Sequence, residues 1–208
     1  MRADGRRNRE LVLAAARASF AERGPDVTVA EIAKRAGVGS ATLFRHFATK
    51  DDLMAAALEE VLEQIVVGLD EAQALSDPWD SFVRAVTVIA ELQSTDQMFL
   101  KAAGPALLSE ERFATASDTL WSSMSAVVER AQAAGVVRAD LEPSDLPFIF
   151  AAVGGATDQC RGPVAPADLW RRYLGLMLDG LRPEGAHPLP AVALTDDELH
   201  AVKGASHH

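Results

Sequence analysis

Between Thr28 and Phe47 the sequence leaves room for little except two short helices around a sharp turn. Thr28-Val29-Ala30-Glu31 has the form of a capping box, in which the threonine hydroxyl and the glutamate carboxylate each satisfy a backbone N–H of the other. The helix that follows turns Ile32, Ala33 and Ala36 inward, and Gly37 stands where such a helix stops. Val38-Gly39 completes the turn, Ser40 is expected to cap the next helix, and Leu43 and Phe47 face inward from it. Two short helices at this spacing suit a helix-turn-helix, whose second helix enters the major groove of DNA.

The rest of the chain also reads as helix. Arg7 to Arg23 carries Leu11, Ala15 and Ala18, with Val12 and Ala16 beside them, as an apolar stripe and ends at Gly24-Pro25. Thr49-Lys50-Asp51-Asp52 is a second capping box and opens the longest helix, to about Leu75. Asp77-Pro78 starts the next, to about Leu92. Further helices are expected over 95–103, 109–134, 143–159 and 166–181, with a short one at Thr195, where Thr195-Asp196-Asp197-Glu198 again has capping-box form. The expected fold class is all-α. It has about ten helices, a three-helix head over residues 1–48 and a helical body over 49–208.

Charge separates the two parts. The whole chain carries a formal net charge of -10, which argues against a nucleic-acid partner. Its distribution argues the other way. Residues 1–50 hold ten Lys or Arg against five Asp or Glu, whereas residues 51–208 hold ten against twenty-five. A basic head on an acidic body places any phosphate-binding surface in the head.

The residues themselves make the head specific. Val29-Ala30-Glu31-Ile32-Ala33-Lys34-Arg35-Ala36-Gly37-Val38, Thr42-Leu43-Phe44-Arg45-His46-Phe47 and Lys50-Asp51-Asp52-Leu53 resemble the tetracycline-repressor (TetR) family, and the Ala15, Arg17, Phe20 and Gly24 framework is similar to that family's first helix. The specific resemblance covers about the first sixty residues. It implies that Thr28 and Lys50 hold phosphates at helix N-termini. It also implies that Ser40, Ala41, Thr42, Phe44, Arg45 and His46 face the groove, with Leu43 and Phe47 in the core. Position 44, usually tyrosine in the family, is phenylalanine here, which removes a hydroxyl that normally bonds DNA and leaves apolar contact with a thymine methyl or sugar. Arg45 becomes the main expected base reader, bidentate to guanine. Arg2, Arg6, Arg7 and Arg9 could add phosphate or minor-groove contacts.

An operator read by this motif is nearly palindromic, so the expected protein is a homodimer on double-stranded DNA. The helix over 143–159 is apolar nearly all round and must be covered on every side. It and the 166–181 helix are the expected two-fold interface, with Phe148, Ile149, Ala152, Leu169, Tyr173 and Met177 in it. The resemblance also implies a pocket for an unidentified hydrophobic small-molecule effector, offered here by Leu58, Leu62, Phe82, Val86, Met98, Phe99, Trp121 and Met124. The implied function is a one-component regulator, a repressor released by that effector. An activator or a ligand-independent regulator is the alternative, and a helical protein-interaction module the last.

No enzyme is expected. The chain has no phosphate-binding glycine loop with its lysine and no nucleophile elbow, and Gly37-x-Gly39-x-x-Thr42 lacks the third glycine of a dinucleotide site. Its five histidines have no partner at ligand spacing within a helix, so neither metal nor cofactor is expected. The single cysteine, Cys160, reads as a small buried hydrophobe and permits no intramolecular disulfide, as suits a reducing cytoplasm. No apolar run is long enough to be a membrane span.

Overall fold

The computed structural model describes residues 2–95, 111–158, 166, 168–195 and 198–199. Their regular structure is helical throughout: α1 Arg2–Arg23, α2 Val29–Ala36, α3 Ser40–His46, α4 Lys50–Gln73, α5 Pro78–Thr95, α6 Glu111–Ala133, α7 Leu146–Asp158 and α8 Leu169–Gly180. These eight correspond to eight of the ten expected helices. The other two fall on 95–103, beyond the described residues, and at Thr195. There the capping box is present, with Glu198 N–H donating to Thr195 Oγ1 and Glu198 Oε2 accepting from Thr195, while only Glu198 and Leu199 of the helix are described. Met98, Phe99 and Cys160 also lie outside the described residues.

The chain divides into two compact units, and the division cuts α4 between Gln64 and Ile65 and α6 between Ala114 and Thr115, the start of α6 belonging to the first unit. In the first unit α1 packs on α2 and α3. Its core is built from Val12, Leu13, Ala16 and Phe20 of α1, Ile32 and Ala33 of α2, Leu43 and Phe47, and Leu53, Ala57, Leu58 and Val61 from the start of α4. Two expectations for α1 are corrected. It starts at Arg2, not Arg7, because only Gly5 among those first residues resists a helix, and a single glycine costs only about 1 kcal/mol. Its buried stripe keeps the expected Val12, Ala15 and Ala16 but is aligned by Phe20, which leaves Leu11 45% exposed and Ala18 only partly covered.

The second unit buries Ile65, Leu69 and Ala72 at the end of α4, Phe82, Val86 and Ile89 of α5, Met124, Val127, Val128 and Ala131 of α6, Phe150 and Val153 of α7, and Trp170, Leu174 and Leu178 of α8. Here α4 and α5 approach closely: a Cβ at Gly68 would stand 2.9 Å from Val88 Cγ2, so only glycine fits without a shift. Single arginines close its turns. Arg130 donates to the carbonyls of Gln73, Leu75 and Ser76, satisfying the last turn of α4 and the bend into α5. Arg138, paired with Asp140 at 2.6 Å, also donates to the carbonyls of Gly180 and His187 and so pins the segment after α8. Pro143–Asp145, expected to be helical, forms a 3-10 turn ahead of α7. Pro166 likewise stands before α8, which begins only at Leu169.

Asp77 caps α5 through Asp80 N–H at 2.9 Å, as the Asp-Pro start predicts. The next residue, Ser81, is 1% exposed, and its hydroxyl has no hydrogen-bond partner among the described residues. An unsatisfied buried hydroxyl is destabilising, and alanine is the better helix former. Ser81→Ala is therefore expected to stabilise the protein by about 1 kcal/mol, raising the melting temperature by about 2–4 °C. Urea and thermal unfolding check this; a lower melting temperature would show that the hydroxyl is satisfied.

Candidate nucleic-acid interface

The turn between α2 and α3 follows from two glycines with different duties. Gly37 adopts φ 71°, ψ 23°, a left-handed conformation that a side chain would strain. Its N–H reaches the Lys34 carbonyl at 3.2 Å, and Val38 N–H reaches that of Ala33 at 3.0 Å, closing α2. Gly39 is extended at φ -74°, ψ 147°, and its carbonyl accepts from Thr42 and Leu43 N–H. Gly39 is thus the residue before α3, and the expected cap, Ser40, is the helix's first residue with no capping bond. The register is shifted by one because the carbonyl of Gly39, not that of Ser40, starts the helical ladder.

This register sorts α3 by face. Leu43 is fully buried and Phe47 is 4% exposed, so the helix is anchored at two points one turn apart. Ser40, Ala41, Phe44 and Arg45 are exposed, and Thr42 and His46 are half-buried. Phe44 is 51% exposed, a large apolar ring left in solvent. Arg45 Nη2 donates to Thr42 Oγ1 at 3.2 Å, which restrains the guanidinium along the helix surface. The six residues expected at a groove thus share one short helix, and the two expected in the core are in the core.

The two expected phosphate holders have partners within the head. Thr28 N–H donates to Glu31 Oε2 at 2.9 Å, and its hydroxyl gives its own proton to the same oxygen at 2.8 Å. Glu31 N–H returns a bond to Thr28 Oγ1 at 3.3 Å, completing the capping box. An anion at the start of α2 would meet the first-turn amides rather than that hydroxyl. Lys50 donates its ammonium to the Pro25 carbonyl and lies 5.7 Å above the Phe20 ring. It ties the start of α4 to the turn after α1 while keeping two N–H groups for an outside acceptor. The Thr28 box is legible in the sequence, whereas the Lys50 tie is not, since Pro25 and Lys50 are 25 residues apart.

The ion pairs of the head decide which charge remains for a partner. Arg35 grips Glu22 with two bonds, at 2.6 and 2.7 Å, and holds that carboxylate below its ordinary pKa. Arg23 pairs with Glu31. Among the described residues, Arg6, Arg7, Arg9, Lys34, Arg45 and Lys50 have no carboxylate within ion-pair distance. Arg9 lies 5.6 Å over the ring of Phe47, at the end of α3.

The Glu31 carboxylate is lowered from 4.5 to about 2, chiefly by the Thr28 backbone N–H, then by Arg23 and the Thr28 hydroxyl. A carboxylate depressed on folding contributes stability that is present above its unfolded value and lost as pH falls through the folded one. Thermal stability is therefore expected to drop between pH 4.5 and about 2, and Glu31→Gln should remove that part of the dependence. Melting curves across this range check it; identical profiles for both proteins would exclude the role.

Of the residues expected in a pocket, Leu58 is buried and Leu62 half-buried in the first unit. In the second, Phe82, Val86 and Met124 are buried and Trp121 is half-buried. On α7, Leu146, Phe150 and Val153 are buried while Phe148 is 48% exposed, Ala152 exposed and Ile149 half-buried. On α8, which packs against α7, Leu169, Tyr173 and Met177 are half-buried. Leu176, not singled out from the sequence, is 59% exposed. Its place three residues after Tyr173 and seven after Leu169 is the helical spacing that marks it. No helix among the described residues is long and apolar enough to cross a membrane.

A family model described as bacterial regulatory proteins, tetR family, matches residues 12–57. A second, described as the C-terminal domain of SbtR-like transcriptional regulators, matches 77–183. The HTH-type transcriptional regulator YhgD of Bacillus subtilis is 33% identical over 95 residues, 45% of this chain and 50% of that protein. The chain spans about half the length of the curated relatives it matches. Among solved structures, the TetR transcriptional regulator SCO0520 from Streptomyces coelicolor is 27% identical with a TM-score of 0.65, covering 85% of this chain and 99% of that one. The TetR-like regulator LfrR from Mycobacterium smegmatis, solved with proflavine, shares the fold at 22% identity and a TM-score of 0.64, covering 88% and 99%.

Proposed function

This chain belongs to the tetR family of bacterial regulatory proteins, DNA-binding transcriptional regulators and not enzymes, and from that premise we propose that it is a dimeric cytoplasmic repressor released from its operator by a hydrophobic small molecule. The observation that carries the DNA half of this reading is α3. It is held by Leu43 and Phe47 and offers Ser40, Ala41, Phe44 and Arg45 to solvent, on a head whose Arg6, Arg9 and Lys34 also face no carboxylate among the described residues. In the reading, residues 1–48 are the DNA-binding part and 49–208 the effector-binding and dimerising part. Arg45 reads a base, Phe44 meets a thymine methyl or sugar, and Lys50 and the first turn of α2 contact phosphates.

The dimer half rests on the uncovered apolar residues of α7 and α8. Phe148, Ala152 and Leu176 are exposed beside the half-buried Tyr173 and Met177, and a copy of the same surface would cover them. The effector half rests on the family and on the apolar second unit. Ligand weakens DNA binding only by its differential affinity for the two states.

Selection of bound duplexes from a random pool tests the reading. The expected product is a near-palindrome with half-sites about one helical turn apart. Binding should weaken steeply with salt. Compounds that raise the melting temperature should then be tested for release of the selected duplex. Enrichment of no sequence would overturn the DNA reading, and tight operator binding by ligand-saturated protein would overturn release.

A further inference from the structure

We propose, resting on the reading that an effector releases this chain from DNA, that Gln64 and Arg17 form the strut through which a displacement of α4 reaches the head. α4 is one helix from Lys50 to Gln73, and Gln64 is the last of its residues that belongs to the first unit. Its side-chain carbonyl oxygen, Oε1, accepts a hydrogen bond from Arg17 Nη1 of α1 at 2.9 Å. α1 in turn packs on both α2 and α3. What holds α4 to α1 at this level therefore also holds it to the helix-turn-helix.

The inner face of α4 is close-packed in the first unit, with Leu53, Ala57, Leu58 and Val61 all buried. On the neighbouring face, toward Gln64, α1 and α4 stand apart. There α1 presents Ala14, Ala18 and Ala21, which share a helical face with Arg17, and α4 presents Glu60 and Gln64, one turn apart. Alanine side chains are too short to fill the space, and a hollow of about 570 Å3 remains between the helices. Packed side chains pass a displacement on by contact, whereas a gap passes none. The Arg17–Gln64 bond spans this gap at the point where α4 leaves the first unit. Gln64 is exposed and Arg17 half-buried, so the bond adds little to folding. Its value lies in fixing where α4 stands against α1, which makes Gln64 a positioning residue and not a DNA contact.

Coupling between two sites is reciprocal, so duplex bound to the head must act back on the second unit even when the effector is unidentified. The test uses the full chain, the duplex it selects and amide hydrogen exchange over residues 65–94. In wild type, saturating duplex is expected to change exchange there by roughly 5-fold or more, the low end of ordinary coupling. In Gln64→Ala the change should fall below about twofold, while duplex affinity and melting temperature match wild type. Gln64 is the partner to change because Arg17 has an interaction besides this one. Gln64→Glu keeps an acceptor for the guanidinium and should keep the wild-type response. If Gln64→Ala responds as wild type does, or Gln64→Glu loses the response, the bond is not the strut and release by an effector stands. If duplex leaves residues 65–94 of the wild-type protein unchanged, the units are uncoupled, and the strut and the release reading fall together.

Discussion

Phe148→Glu is expected to convert the protein to a folded monomer and to weaken operator binding by about 100-fold or more. Phe148 is 48% exposed in the single chain, so a carboxylate there remains solvated and the chain keeps its fold. In a dimer the same carboxylate would be taken out of water among Ala152, Tyr173 and Leu176 of both copies, a cost of several kcal/mol. Two heads on one operator gain from effective concentration, worth roughly 10²–10⁴ in avidity, and a monomer forfeits that gain. Sedimentation and titration on the selected duplex read the two effects separately. A mutant that stays dimeric would remove α7 from the interface. A monomer with full affinity would remove the need for a dimer.

Arg45→Ala is expected to weaken the matched operator by on the order of 1–3 kcal/mol, roughly 5- to 150-fold, and to relax selection at one base position in each half-site. The Thr42 hydroxyl already orients the guanidinium at 3.2 Å, so part of the ordering cost is met before DNA arrives. Arg45→Lys keeps the charge but not the two-pronged donor, and should recover affinity without recovering selectivity. Lys50→Ala makes the contrast. It should weaken all sequences alike and also lower the melting temperature, because the ammonium also holds Pro25 and Phe20. An Arg45→Ala protein with an unchanged selected sequence would place base reading elsewhere.

The head is legible in the sequence because its signals are local. The Thr28–Glu31 and Thr49–Asp52 boxes, Gly37 at positive φ and the spacing of Leu43 and Phe47 all lie within a few residues of what they control. The misreadings have the same origin. Residue type favours Ser40 as a cap, while the Gly39 carbonyl sets the register. Hydrophobicity alone turns Leu11 inward, while Phe20, nine residues on, decides which face of α1 is covered. Arg130 over three carbonyls, Arg138 over two, Lys50 on Pro25 and Arg9 on Phe47 join positions far apart in the chain, and no periodicity announces them. Composition marks the apolar residues of α7 and α8, whereas their division into covered and uncovered faces depends on the packing of the two helices on each other.

Most ties of the head close over short loops, with Lys50 on Pro25 across 25 residues and Arg17 on Gln64 across 47 the longer ones, and this has a consequence for biosynthesis. Thr28 to Glu31, Thr49 to Asp52, Arg23 to Glu31 and Glu22 to Arg35 span 3, 3, 8 and 13 residues. The second unit is closed by Arg138 on Gly180 and His187, 42 and 49 residues later, and by Arg171 on Glu91 across 80. Loops that short cost little entropy to close, and low contact order makes folding fast. On a ribosome adding about 5–20 residues each second, the head can fold as soon as its last helix has emerged, while the body must wait for the chain to be nearly complete. The nascent protein therefore passes through a stage in which a finished basic head leads an unfinished acidic chain.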